Sequence, residues 1–396
     1  MVDVSDIRNE DSLKAWLEDQ PREVSVWIAF RAAARVLPLW WDAVLREEWA
    51  RDLDVTALPV LRITLISVVA ATAAQFRYSQ TAYAAREAIY REITTASHGM
   101  RKRPSVEIMG LDSAISTVAA VAEVTYTEAT AISGAASATE TSTEVVEYAS
   151  AVWTSVRADV EQVALHGIPD AFPLWTDGTW LFSAQWQAIK WQVANSEGSE
   201  DWHFWIEWYE SLLAGRPMLG DAGRTWEMLE QIALIDPATW DRGPEVVNPV
   251  IREIWELHRL RAEVSALQAE KAAFLAARAS EAQRGHNQPP EGLVDDAPEV
   301  ARQITIIWDG LDEAREELER DAPDKDLLRA IAERMLAALN AVVAYFGKVG
   351  DAVVMSAATE TGKLVARTAY VATLDHIANN GRLMRFVKDL LAFGGG

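Results

Sequence analysis

Residues 249–283 read PVIREIWELHRLRAEVSALQAEKAAFLAARASEAQ. Along this stretch Leu257, Leu260, Val264, Leu267, Lys271 and Phe274 alternate by three and four. That is the spacing of one helical face; a strand would repeat every second residue. The other positions are charged or small, including Arg259, Arg261, Glu263, Glu270 and Arg278. So narrow a stripe belongs either to a long helix at the edge of the protein's own bundle or to a self-association seam, with Lys271 interrupting it.

The same period extends outward in both directions. Asp11-Ser12 offers a cap for a helix carrying Leu13, Trp16 and Leu17. Pro21 sits at a first-turn position, and Val24, Ile28, Arg31 and Arg35 follow at helical spacing up to an expected end near Leu37-Pro38. Leu39–Trp49 and Pro59–Ser97 read as further helices, the second rich in alanines that permit close packing. From Pro104 to Val156 there are seven acidic residues and no Lys or Arg, and Ile108, Leu111, Ile115, Val118 and Ala122 again predict helix, with a loosened turn near Ser133-Gly134. Asp236-Pro237 and Asn248-Pro249 look like helix starts. Pro289 and Pro290 each lack an N–H and break the helical pattern, so 284–298 reads as a linker. Beyond it lie an acidic segment (Asp295–Asp326, twelve acids and four bases), the helices Leu327–Phe346 and Asp351–Ala378, a stop at Asn379-Asn380-Gly381, a short basic amphipathic helix, and a glycine tail at Gly394-Gly395-Gly396. The expected fold is all-α: a multi-helix bundle with a long heptad-like helix and a separate C-terminal helical domain. Its expected parts are 1–165, a tryptophan-rich 166–283, the linker 284–298, and 299–396.

Composition removes several kinds of chemistry. The 396 residues contain no cysteine, which excludes disulfides, thiolate metal sites and cysteine nucleophiles. A net charge of −22 repels polyanions, so nucleic acid is disfavoured, and the basic run Arg101-Lys102-Arg103 reads as a solvated loop. The apolar run Ile63–Phe76 is shorter than the roughly 20 residues that span a bilayer. With no basic-then-apolar leader after Met1, the expected compartment is the cytoplasm.

Of the 17 tryptophans, eleven fall between Trp153 and Trp255. Trp202, Trp205, Trp208 and Tyr209 form a broad aromatic face on one helix, and Trp180, Trp186 and Trp191 are placed to complete either a packing core or a ligand pocket. Glu200, His203, Glu207 and Glu210 share a stripe expected to be a polar face opposite the tryptophans; a second Glu-x-x-His pair, needed for a di-iron bundle, is missing. Ala357 to Leu364 has the Gly-Lys of a phosphate loop without its first glycine or its hydroxyl residue. No catalytic residue, metal or cofactor is implied.

Three patches resemble a family of uncharacterised alphaproteobacterial helical proteins with no known activity. They are Leu13–Glu18 with Pro21–Glu23 and Ile28–Ala33, Trp202–Tyr209 running on to Pro217, and Gly285-His286-Asn287-Gln288-Pro289-Pro290-Glu291. The resemblance implies a bacterial origin and carries no site residue. The functional expectation is a non-enzymatic interaction or assembly protein, using the seam Leu257, Leu260, Val264 and Leu267, the linker residues His286, Asn287, Pro289 and Pro290, or both, to meet a protein partner or a second copy. The alternatives are a membrane-associated effector acting through the amphipathic helix at 382–391, which the net charge disfavours, and a small-molecule-binding domain built on the tryptophans.

Overall fold

A computed structural model describes residues 3–72, 79–100, 114, 116–122, 131–143, 149–175, 180–195, 201–284, 297–356 and 381–395. Among these residues every regular element is a helix and none is a strand. The all-α fold read from the apolar spacing is therefore the fold observed. Among the described residues, no helix is long and apolar enough to cross a membrane.

The chain divides into two compact units, Met1–Ile254 and Trp255–Gly396. Neither expected boundary, 165/166 nor 284–298, is where the division falls. The seam residues Leu257, Leu260, Val264 and Leu267 are buried with Ile307, Leu311, Ile331, Met335, Phe386 and Leu390, so they belong to the core of the second unit. The expected boundary at 165/166 is bridged by side chains of the Arg22–Arg46 helix, which bond to carbonyls at 172–174.

The first unit is arranged around the Arg22–Arg46 helix, which is buried on nearly every side. Its neighbours are the helices Leu58–Thr72, Ala131–Thr143, Ala149–His166 and Ser183–Asn195. The chain enters through a helix at Glu10–Leu17 whose cap is Asn9, one turn earlier than expected; Asn9 and Ser12 form a reciprocal capping box. The Arg22–Arg46 helix does not stop at Pro38 as expected, and the reason lies far away in sequence. Proline at 38 has no N–H to give the carbonyl four residues back, that of Ala34. The hydroxyl of fully buried Tyr209 donates to that carbonyl at 3.1 Å. A long-range bond thus meets the acceptor that the helix ladder leaves open.

Ser133-Gly134 likewise does not loosen the chain: Ala131–Thr143 is one helix. Its hydroxyls bond to its own carbonyls, Thr139 to Ala135 and Thr141 to Ser137, both at 2.9 Å, so a polar sequence presents a buried, small-residue face. The apolar Leu58–Thr72 helix uses the same device at Thr64, Ser67 and Thr72.

In the second unit, the later part of the Pro244–Arg284 helix packs with Ala297–Leu318, Lys325–Ser356 and Arg382–Gly395. That long helix begins at Pro244, so the expected start at Asn248-Pro249 lies inside it, about one turn after the observed start; Asp236 does cap the Pro237–Trp240 turn. The lysine interrupting the seam is an anchor: Lys271 Nζ reaches Asp312 at 2.7 Å, with the Trp308 ring centroid 5.9 Å away. Arg382 pins the last helix to the long one, its Nε and Nη2 on the two oxygens of Glu263 at 2.5 and 3.2 Å and its Nη1 on Glu270 at 2.7 Å. The apolar face once weighed as a membrane anchor, Leu383, Phe386, Val387 and Leu390, is inside this core. Gly394, expected in a free tail, ends the packed helix, where an added Cβ would meet the Lys325 carbonyl at 2.7 Å.

Two measurements check these packing arguments. Tyr209→Phe is expected to cost about 1–3 kcal/mol in urea melts, the range for orphaning a buried polar partner. On a Pro38→Ala background the new amide N–H serves Ala34, so the cost should fall below about 1 kcal/mol; equal costs in both backgrounds would rule out the coupling. Leu260→Ala should cost the second unit about 2–5 kcal/mol and leave the mass in light scattering unchanged. A lower mass with stability retained would return the seam to a role between chains.

Candidate functional site: a polar cleft backed by the tryptophan core

The aromatic face of the His203–Ala214 helix packs inward. Trp205, Trp208, Tyr209 and Trp186 are at most 1 % exposed. Their rings contact each other and the central helix: Trp186 lies 4.4 Å from Tyr209, Trp41 5.8 Å from Trp186 and 5.6 Å from Trp202, and Trp205 5.7 Å from Trp208. Some of their polar edges are met inside the core, while the indole N–H groups of Trp41 and Trp208 are buried without an acceptor. Trp205 Nε1 donates to buried Asn248 at 3.0 Å and Trp186 Nε1 to Glu210 at 2.9 Å. These rings fill a core. Trp180 sits half-buried, and Trp191 is 68 % exposed and does not join them. A cavity of about 50 Å³ at the edge of Trp208 has room for about one or two waters.

The expected acidic stripe is partly redrawn. His203 and Glu207 are exposed, but Glu210 turns to the indole of Trp186 and to Lys190, which hold its carboxyl below the usual range against the opposing effect of burial. Glu200 lies outside the described residues, as do Arg101–Arg103, the Pro-Pro motif with His286, Asn287, Pro289 and Pro290, and the partial phosphate loop. Among the described residues no three His, Asp or Glu side chains gather as a metal set.

A cleft of about 210 Å³ opens at the edge of the aromatic core, beside Trp240. Three elements frame it. The loop at 54–57 leads into the Leu58–Thr72 helix, which supplies Leu58, Pro59 and Arg62; the Ser79–Met100 helix supplies Ala88, Arg91 and Glu92; the end of Pro237–Trp240 and the turn after it supply Trp240, Asp241 and Gly243. Both turns on its rim are left-handed, Asp54 at φ 53° and Gly243 at φ 92°. Asp is among the few side chains that tolerate that conformation, and such positions gather at functional sites.

The groups inside carry unusual electrostatics. Arg62 is 2 % exposed and its guanidinium lies over the Trp240 ring, 5.0 Å from the centroid. Burial pulls its pKa down to about 10, partly offset by Asp241. It therefore stays a cation at neutral pH. Its Nε and Nη2 are buried and meet no acceptor, and neither does the Trp240 indole N–H. Glu92 accepts the Thr56 N–H at 2.7 Å, yet burial outweighs that bond and the nearby Arg91, and pushes its carboxyl up to about 7. Arg91 and Asp241 pair across the mouth at 3.2 Å. Trp240 also packs on Trp205, 6.3 Å between centroids, so the cleft floor is continuous with the rigid core.

Sequence reasoning passed over all three of these groups. Arg62 stood only as the residue before the apolar run Ile63–Phe76, and Glu92 was not singled out within the expected helix Pro59–Ser97. The available signal was that Arg62 is the one charged residue between Asp54 and Arg77. Comparison of the chain with known protein families and characterised proteins, and of its fold with solved structures, gave no match.

Glu92 makes the first unit sensitive to pH. Its folded pKa lies above its unfolded value near 4.5, so the contribution it makes to stability is full below pH 4.5 and is lost as pH rises through about 7. Glu92→Gln keeps an acceptor for Thr56 without the charge. It should raise the melting temperature at pH 8 by several degrees and leave it nearly unchanged at pH 5. A uniform shift at both pH values would contradict a buried, titrating Glu92.

Proposed function

We propose that the first unit is a non-enzymatic binding module that holds a small organic molecule in the cleft at Arg62, Glu92 and Trp240. One observation carries this reading: a buried cation stacked on an indole, with donors left unmet, at the wall of a 210 Å³ cleft. Burying charged donors without acceptors is costly, and such a cost persists where another selected property depends on it. The cleft combines an apolar aromatic wall with a few convergent polar groups, the usual composition of a ligand site. The small-molecule alternative weighed from the tryptophans is thus kept, and its location moves from Trp186, Trp205 and Trp208 to the cleft beside Trp240.

The interaction reading loses one of its two assigned surfaces, because the Leu257–Leu267 seam is inside the second unit; the other, the linker with His286, Asn287, Pro289 and Pro290, lies outside the described residues. What favours it now is Trp191, an indole 68 % exposed on the Ser183–Asn195 helix, a residue type that anchors protein interfaces. We keep it second, since one exposed ring specifies no partner.

Saturation-transfer NMR with a panel of small fragments tests the binding reading. A subset should receive saturation from the full chain, and those signals should vanish in Ala88→Phe, which fills the cleft without touching Arg62. Hits that persist unchanged in Ala88→Phe bind elsewhere, and the cleft would then not be the site.

A further inference from the structure

We infer that the outer face of the Ser183–Asn195 helix is a self-association surface, on which a second copy of this chain docks antiparallel through Trp191. The inference is independent of the cleft. A single exposed ring names no partner; the stripe it belongs to does. Ala184, Gln187, Trp191 and Ala194 are all exposed and follow one another by three, four and three, so they line one side of the helix. The opposite side is spent inside the unit, where Trp186 and Ile189 are buried.

Charge points to the occupant. The stripe carries none, and the helix's one charged residue, Lys190, is held by Glu210 at 2.8 Å. Outer positions on other helices of the first unit are charged: Asp11 and Lys14 on Glu10–Leu17, Glu207 on His203–Ala214, Glu227 on Ala222–Ala233. A chain of net charge −22 draws a basic partner to its acids, because complementary potentials steer such encounters. A second copy carries the same −22 and is repelled from those faces. It is received where the surface has no acid, and physiological salt confines the remaining repulsion to about 8 Å.

The order of side chains is also complementary to itself. In a two-fold pair each residue meets the one that meets it in return. An axis passing between Gln187 and Ala188 sets Trp191 of each copy against Ala184 of the other, large against small. Alanines at 184, 188 and 194 let the two backbones approach closely. Gln187 of each copy flanks the axis. Its amide has both donors and an acceptor, so it pairs with its own image, as a carboxylate or an ammonium does not. Each indole has roughly 150–250 Å² to bury, which keeps the whole contact below the roughly 1,200 Å² of stable interfaces, so the dimer is weak and concentration-dependent.

The chain has no cysteine, so one introduced thiol reports on one surface. On mild oxidation of the full chain, Gln187→Cys should form a disulfide-linked dimer at least about tenfold faster than Glu207→Cys, which is exposed on another helix. Adding Trp191→Glu to Gln187→Cys should bring the rate down to that of the control; Trp191 is exposed, and circular dichroism checks that the fold is kept. In light scattering the unaltered chain should gain mass between about 10 μM and about 1 mM, and more so as salt is raised, because salt screens the repulsion and has no ion pair to weaken. Equal oxidation rates at 187 and 207, or a dimer that survives Trp191→Glu, would overturn the inference. So would a dimer that salt dissociates, since charge pairs would then hold it. A chain that stays monomeric throughout and binds a different protein through Trp191 would overturn the second copy as the occupant.

Discussion

Two guanidinium groups share one carboxylate in the middle of the first unit, and much of its packing follows from that arrangement. Arg31 Nε and Arg35 Nη2 bond to the two oxygens of Asp159 at 2.7 and 2.5 Å, all three side chains at most 4 % exposed. One positive charge is left over. It is distributed over the carbonyls of Phe172, Pro173 and Leu174 and the faces of Trp27, Phe172 and Trp175, whose centroids lie 4.9 to 5.6 Å from the guanidinium carbons. Burial draws Arg31 down to about 10, so it remains charged. Loss of one member of such a triad strands the others in a low dielectric, which costs more than the triad itself contributes. The segment at 172–174 has to lie where its carbonyls serve these cations, and that placement sets the course of the chain between the Ala149–His166 and Ser183–Asn195 helices.

How much of this was legible in the sequence depends on the range of the interaction involved. Helices were legible because their signal is local: the spacing of Leu257, Leu260, Val264 and Leu267, or the Asp236-Pro237 start, lies within about three turns of chain. The seam's partner was not, since a stripe of that width is the same whether it meets another chain or Phe386 and Leu390 of its own. Pro38 looked like a stop because the bond that rescues Ala34 comes from Tyr209. Arg31 and Arg35 were recognised at helical spacing, but nothing adjacent to them indicated that Asp159 would meet both. The tryptophans were recognised as one aromatic body, and their density made a pocket plausible; packing among the rings fills that space. The cleft lies at the edge of that body, where Trp240 is joined by Arg62 and Glu92 from two other helices.

The two units solve the same problem with different materials. The second gains specificity at the rim of an aliphatic core, through Lys271 on Asp312 and Arg382 on Glu263 and Glu270, and through close approach at Gly310, where an added Cβ would meet Met335 at 2.5 Å. The first places its polar groups at the centre, and there each donor needs a partner. Against that standard the unmet edge of Arg62 stands apart from the satisfied edges of Arg31 and Arg35.

The bond from Tyr209 to Ala34 also has a consequence for how the chain is made. The two residues are 175 positions apart. At about 5–20 residues per second, synthesis leaves roughly 9–35 s between them. Asp159, the counter-charge for Arg31, follows it by 128 positions. A nascent chain therefore carries two cations and an open acceptor along what will be a largely buried helix, well before their partners leave the ribosome. Early burial of that helix is penalised until residues 159 to 209 emerge. The bonds that satisfy the central helix can therefore form only after residues 159 to 209 have been synthesised.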